Sequence, residues 1–105
     1  MDKQGVIKYL EERADDFYAL SDKIWGNAEI RFQEKESVND YVAFLEKEGF
    51  SVEVGLAGLK TSFKAVWGSG KPVIGFLGEY DALPGLSQKA GVAVKEAIDG
   101  NGNGH

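Results

Sequence analysis

The feature that most constrains the fold is a short apolar run that leads directly into two carboxylates. Residues Val73 to Leu77 are apolar or glycine, and a run without polar alternation is typical of an inner β-strand covered on both faces. Glu79 and Asp81 follow one residue apart, and Leu83-Pro84-Gly85 then predicts a turn. Because α/β proteins bind ligands beyond the carboxyl ends of such strands, the sequence predicts a site at Glu79 and Asp81.

The first half of the chain is predicted to be helical, since twelve of the fourteen glycines lie from Gly49 onward. Apolar residues at helical spacing predict one helix over about 3–25 and a second over about 34–48. Glu34 and Glu36 lie where the helix dipole favours acids. Gly49 is expected to end the second helix in a Schellman closure with Phe50.

Alternating polar and apolar residues predict strands over 51–54 and 61–67, paired as an antiparallel unit. An inner strand needs a layer on each face, and two helices cover one face only. The predicted fold class is therefore α/β, an incomplete α/β/α arrangement with two N-terminal helices, a strand pair and the inner strand. Trp25, Phe32 and Trp67 are expected in the core.

Composition excludes several classes of protein. The net charge is -5, and twelve basic residues are scattered among seventeen acids, whereas nucleic-acid binding needs clustered Lys and Arg. No apolar run approaches the roughly 20 residues that cross a bilayer, and the N-terminus lacks the layout of a secretory signal. The absence of cysteine excludes a disulfide framework. We therefore expect a cytoplasmic protein without a nucleic-acid or membrane partner.

Several stretches resemble the metal-dependent amidohydrolases that include aminoacylases and auxin-conjugate hydrolases. The resemblance covers about 7–105, and the run from Gly78 to Gln88 is similar to the branch that contains aminobenzoyl-glutamate hydrolase. The stretches that carry it are Trp25 to Glu34, Ser37, Leu45 to Phe50, Thr61, Phe63, Ala65, Gly68 to Gly70, and Gly78 to Gln88.

The resemblance implies a hydrolase in which two divalent cations, zinc or manganese, activate water to cleave an amide bond. The implied substrate is a small N-acyl or aminobenzoyl amino acid, or a dipeptide-like molecule. The implied enzyme is a homo- or hetero-oligomer. The residues that bind the substrate are not assigned to any position here.

The resemblance also implies roles for three residues. Asp81 matches the family aspartate that orients a metal-site group, and Glu79 stands where many relatives have histidine, which makes it a catalytic or structural residue rather than a metal ligand. His105 matches the first histidine of a His-x-Cys-Gly-His segment and is expected beside the site. A plainer alternative for Asp81 is that it caps the turn that follows it.

We expect residues 1–84 to form the N-terminal part of a catalytic domain and residues 85–105 to form a poorly ordered active-site loop. A cation centre needs at least three converging ligands, and this chain offers one imidazole and two relevant carboxylates. The expectation is thus an N-terminal fragment that binds no metal and is inactive alone. The alternatives are a non-catalytic interaction module that docks a partner by strand addition, a self-associating truncated domain, and a small structural protein.

Overall fold

Helices occupy the first half of the chain and strands the second in the computed structural model, which describes all residues from Met1 to His105. Two small antiparallel strand pairs, β1–β2 and β3–β4, follow three helices. This content confirms an α/β class. None of the helices is long and apolar enough to span a membrane. The elements are α1 Lys3–Glu12, α2 Ala14–Asn27, α3 Lys35–Lys47, β1 Ser51–Val54, a 3₁₀ turn Leu56–Gly58, β2 Phe63–Val66, β3 Leu83–Pro84 and β4 Asn103–Gly104.

The first predicted helix is divided in two at Arg13, which leaves the helical conformation. Its guanidinium binds both carboxylate oxygens of Glu48, with Nη2 2.6 Å from Oε1 and Nη1 3.1 Å from Oε2. Nε of Arg13 also donates to Asp16 at 2.6 Å. The hydrogen bond from Arg13 lowers the pKa of Glu48. The break between α1 and α2 is thereby tied to the end of α3, a contact that helical periodicity does not show.

The second predicted helix and its closure are confirmed. The N–H of Phe50 donates to the carbonyl of Leu45 and the N–H of Gly49 donates to that of Glu46, both at 3.0 Å. This pair of hydrogen bonds defines the Schellman motif. Gly49 has a φ of 90°, a conformation that glycine adopts without strain.

The predicted antiparallel pair is also confirmed, with Ser51 opposite Val66 and Val54 opposite Phe63. One cross-strand pair carries opposite charges, since Nζ of Lys64 lies 2.9 Å from Oε2 of Glu53. The hairpin closes because local alternation and the glycine-containing link act together.

The predicted inner strand is wrong. Residues Val73 to Leu77 belong to no strand, and the side chains of Phe76 and Leu77 are 96% and 100% exposed. A strand needs a neighbour for its N–H and C=O groups and layers for its side chains. Here β1 and β2 pair only with each other, so neither requirement is met and the expected three-layer arrangement is not formed.

The apolar core is small and lies between α2, α3 and the segment that follows the exposed run. Trp25, Phe32 and Trp67 are not part of it, contrary to expectation; Trp67 is 70% exposed. Phe32 also has a left-handed backbone, with φ 64°. These rings lie at the margin of the core because no second layer covers them. The buried apolar residues are Ile24, Ala28, Val38 and Ala82.

Candidate functional site

The segment that carries Glu79 and Asp81 is attached to the helices through Ala82. The N–H of Ala82 donates to the carbonyl of Glu29 at 2.8 Å, and Ala82 forms a parallel bridge with Ile30. Ala82 is 1% exposed. The backbone next to Asp81 is therefore held against the turn that connects α2 to α3.

Tyr80 provides a second attachment, one residue before Asp81. Its ring packs edge-on against Tyr41, with ring centroids 5.2 Å apart, and in a tilted arrangement against Phe63, with ring centroids 5.9 Å apart. Its hydroxyl donates a hydrogen bond to the carbonyl of Thr61. Burial, with the nearby carboxylate of Glu34, raises the pKa of Tyr80 to about 12, so the phenol remains protonated and able to donate near neutral pH. No local sequence pattern shows this hydrogen bond, because Tyr80 and Thr61 are 19 positions apart.

Glu34 points into the protein rather than serving the helix dipole alone. The hydroxyl of Thr61 donates to its Oε2 at 2.6 Å, and both residues are buried. The two are separated by 27 positions, so no local pattern could pair them. A polar residue at this depth is stable because it has a partner.

Glu29 caps α3 from outside the helix. Its carboxylate accepts from the N–H of Glu36 at 3.0 Å and from the N–H of Ser37 at 2.8 Å. Partial burial tends to raise the pKa of Glu29, but these hydrogen bonds outweigh it and lower the pKa below its usual value. Glu34, which directly precedes the helix, makes no capping contact. The sequence does not show this role, because Glu29 lies several residues before the N-cap position at Glu34 where capping side chains are usually found.

The structure brings Glu79 and His105 to one open cleft of about 360 Å³. Nε2 of His105 lies 3.2 Å from the carbonyl oxygen of Ile24, against the end of α2. Asp81 is half-buried and is not among the residues that line this cleft. The cleft walls are largely apolar and aromatic, formed by Phe17, Leu20, Ser21, Ile24, Trp25, Tyr41 and Tyr80.

The donor set of the chain does not fit a complete divalent-cation centre. No three His, Cys, Asp or Glu side chains converge anywhere in the structure, whereas such a centre takes three or more protein ligands. The arrangement presents a carboxylate and an imidazole at the edge of an aromatic-lined cleft. The roles of Asp81, Glu79 and His105 in chemistry stay predictions.

Sequence comparison relates the chain to hydrolases. It is 44% identical over 86 residues to a subunit of p-aminobenzoyl-glutamate hydrolase from Escherichia coli (strain K12), an alignment that covers 82% of this chain and 18% of that protein. It is 30% identical over 99 residues to the Xaa-Arg dipeptidase of Mus musculus, covering 85% of this chain and 23% of that protein. No protein-family model matches, and no solved structure matches.

These similarities confirm the resemblance, and the chain belongs to the amidohydrolase family of these relatives. Of the two proteins, the p-aminobenzoyl-glutamate hydrolase sequence is the more similar. The human Xaa-Arg dipeptidase matches at 31% identity, over 78% of this chain and 22% of that protein. The chain thus spans about a fifth of the length of the curated relatives it matches.

Proposed function

We propose that this chain is part of a metal-dependent amidohydrolase that cleaves the amide bond of N-acyl or aminobenzoyl amino acids. The observation that carries the proposal is the 44% identity over 82% of the chain to the p-aminobenzoyl-glutamate hydrolase sequence. The name of that protein specifies an aminobenzoyl amino acid as its substrate and describes the protein as a subunit. We extend both properties to the enzyme proposed here, for which we propose an aminobenzoyl amino acid as the substrate class and an oligomer as the assembly. The location that we propose for this enzyme is the cytoplasm.

In this proposal Asp81 orients a group of the metal site, Glu79 faces the substrate and His105 lies beside the site. Two divalent cations, zinc or manganese, belong to the proposed enzyme. Their ligands come from outside these 105 residues, since no ligand cluster forms within them. The chain alone is therefore expected to be inactive.

The exposed surface supports a larger folded unit. The chain exposes 8318 Å², whereas a compact monomer of its mass exposes about 5,800 Å². Its radius of gyration is 16.2 Å, against about 13 Å for a compact domain of this length. The excess, about 2,500 Å², is several times the roughly 800 Å² that one partner buries in a standard interface. Further polypeptide accounts for such an excess better than one docking contact does.

The experiment compares the 105-residue chain with the polypeptide encoded by its reading frame continued past His105. Both are assayed on p-aminobenzoyl-glutamate, N-acetyl amino acids and Xaa-Arg dipeptides, with zinc or manganese added. We expect hydrolysis of p-aminobenzoyl-glutamate by the longer polypeptide only. Hydrolysis by the 105-residue chain with stoichiometric zinc, or no hydrolysis by the longer polypeptide, would contradict the proposal.

A second candidate function is self-association through residues 73–77, with a second copy of the chain as the partner. The observation that favours it is an apolar segment without a strand partner, in which Val73 and Ile74 are also 84% and 74% exposed. Two such segments can pair as antiparallel edge strands.

Light scattering at increasing protein concentration tests this candidate. Self-association predicts a rising mass that Phe76→Lys abolishes, while Val94→Lys, at an exposed apolar position outside the segment, leaves the mass unchanged. A monomer at every concentration would exclude it. That result would instead fit an interaction module that stays monomeric until a different partner binds.

A further inference from the structure

We propose that Tyr80, Thr61 and Glu34 form a latch that positions the carboxylate of Asp81. The inference rests on the proposed function for its consequence in catalysis, but the latch itself is a property of these 105 residues. None of its three members is assigned a contact with a reacting atom. They are positioning residues, and they act through the backbone that carries Asp81.

The latch ties Tyr80 to the start of α3. The hydroxyl of Tyr80 donates to the backbone carbonyl of Thr61, and the hydroxyl of Thr61 donates to the carboxylate of Glu34. The carbonyl of Glu34 in turn accepts from the N–H of Val38 in the first turn of α3, at 3.0 Å. Hydrogen bonds therefore link the hydroxyl of Tyr80, through Thr61 and Glu34, to the first turn of α3.

A second anchor, separate from the three-residue latch, ties Ala82 to the same helix end. Ala82 donates to the carbonyl of Glu29, and the carboxylate of Glu29 caps the N–H groups of Glu36 and Ser37. The residues on either side of Asp81 are thus both anchored to the start of α3. Two anchors separated by one residue leave its backbone little freedom, and preorganisation of this kind is what holds a functional carboxylate in place.

The hydrogen bond made by Tyr80 can be tested separately from the packing of its ring. Tyr41 contributes a ring to the same cluster, and its hydroxyl makes no hydrogen bond in the structure, whereas that of Tyr80 does. Tyr80→Phe and Tyr41→Phe each remove one hydroxyl and keep the ring. A single hydrogen bond makes a modest net contribution to folding, so Tyr80→Phe should fold and loosen the latch alone.

Amide hydrogen exchange in the 105-residue chain tests the latch. We expect Tyr80→Phe to speed exchange at the Ala82 N–H about fivefold to tenfold. The Phe50 N–H, which closes α3 on its far end, should keep its rate, and Tyr41→Phe should change neither. Unchanged exchange at Ala82, or equal acceleration at Ala82 and Phe50, would overturn the proposal.

Kinetics of the longer polypeptide test the consequence for Asp81. Tyr80→Phe should lower kcat about tenfold with KM nearly unchanged, because a misplaced group costs transition-state stabilisation rather than binding. Tyr18→Phe, at an exposed tyrosine that does not line the cleft, should match the parent. Faster exchange at the Ala82 N–H alone in Tyr80→Phe, together with an unchanged kcat, would overturn the positioning role. If the parent hydrolyses no amide at all, the proposed function fails and the positioning role fails with it, while the exchange result still decides whether the latch exists.

Discussion

The hydroxyl of Thr61 donates to the carboxylate of Glu34, a residue that is only 7% exposed. Thr61→Val keeps the shape of the side chain and removes the donor. A buried acceptor left without its partner costs about 1–3 kcal/mol, so we expect a loss of that size in the free energy of unfolding, measured by urea denaturation. Thr61→Ser retains the hydroxyl and should lose less. A loss in Thr61→Ser larger than that in Thr61→Val would show that the methyl group, and not the hydrogen bond, matters at this position.

The cap supplied by Glu29 makes stability depend on pH. Its pKa is lower in the folded chain than in the unfolded one, so its contribution is present above the unfolded pKa and is lost as the pH falls through the folded pKa. We expect Glu29→Gln to cost about 0.5–2 kcal/mol at neutral pH and progressively less as the solution is acidified. Thermal unfolding at a series of pH values from neutral to acidic measures how the stability of the parent and that of Glu29→Gln depend on pH.

Glu36→Gln is the control for this prediction, because Glu36 is exposed and the cap uses its backbone N–H rather than its side chain. The exposed side chain of Glu36 adds only its interaction with the helix dipole, so the Glu36→Gln curve should lie closer to the parent curve than the Glu29→Gln curve does at neutral pH. Curves for Glu29→Gln and the parent that stay parallel down to low pH would contradict the role of the carboxylate charge.

At the scale of the elements, the parts that sequence predicts are those with local causes. α3, its closure at Gly49 and the β1–β2 hairpin depend on neighbours a few residues away, and all three are confirmed. The break at Arg13 is different, because its guanidinium binds a carboxylate 35 positions later. Periodicity of apolar residues cannot show such a contact.

For the exposed apolar run and the candidate site, too, the sequence predicts the local features and not the long-range contacts. An apolar run predicts burial on both faces only if partners exist to bury it, and 73–77 has none here. The sequence does place carboxylates at Glu79 and Asp81 after that run. It does not show the anchoring of Tyr80 to Thr61 or of Ala82 to Glu29, because both join segments that are distant along the chain.

Close backbone packing at the end of the chain leads to a prediction for β4. Gly104 is buried and pairs with Leu83 of β3, and a Cβ atom there would collide with the backbone carbonyl of Leu86. We therefore expect Gly104→Ala to separate β4 from β3 and to speed exchange at the Ser87 N–H, which donates to the carbonyl of Gly102. Gly102→Ala is the control, since a Cβ at Gly102 meets nothing within 4 Å. Similar exchange in the two variants would show that the pairing tolerates a side chain.

At the scale of the whole molecule, a substitution at Asp81 can distinguish a role in the catalytic site from a role in the turn. In the longer polypeptide, Asp81→Asn keeps the size of the side chain and its ability to accept a hydrogen bond, but removes the charge. An aspartate that orients a metal-site group should lose about 10–100-fold in kcat on this change, whereas the free energy of unfolding should shift by no more than about 0.5 kcal/mol. Steady-state kinetics and urea denaturation of the same preparations measure the two quantities.

Asp22→Asn supplies the matched control for that measurement, because Asp22 is an exposed carboxylate on α2 and makes no ion pair. It should leave both quantities at the parent values. A turn-forming aspartate contributes to folding and to activity through the same backbone geometry, so comparable losses in kcat and in stability for Asp81→Asn would assign the residue to the turn. A large loss in kcat alone requires the negative charge itself, because the backbone at Asp81 is held on both sides whether or not that charge is present.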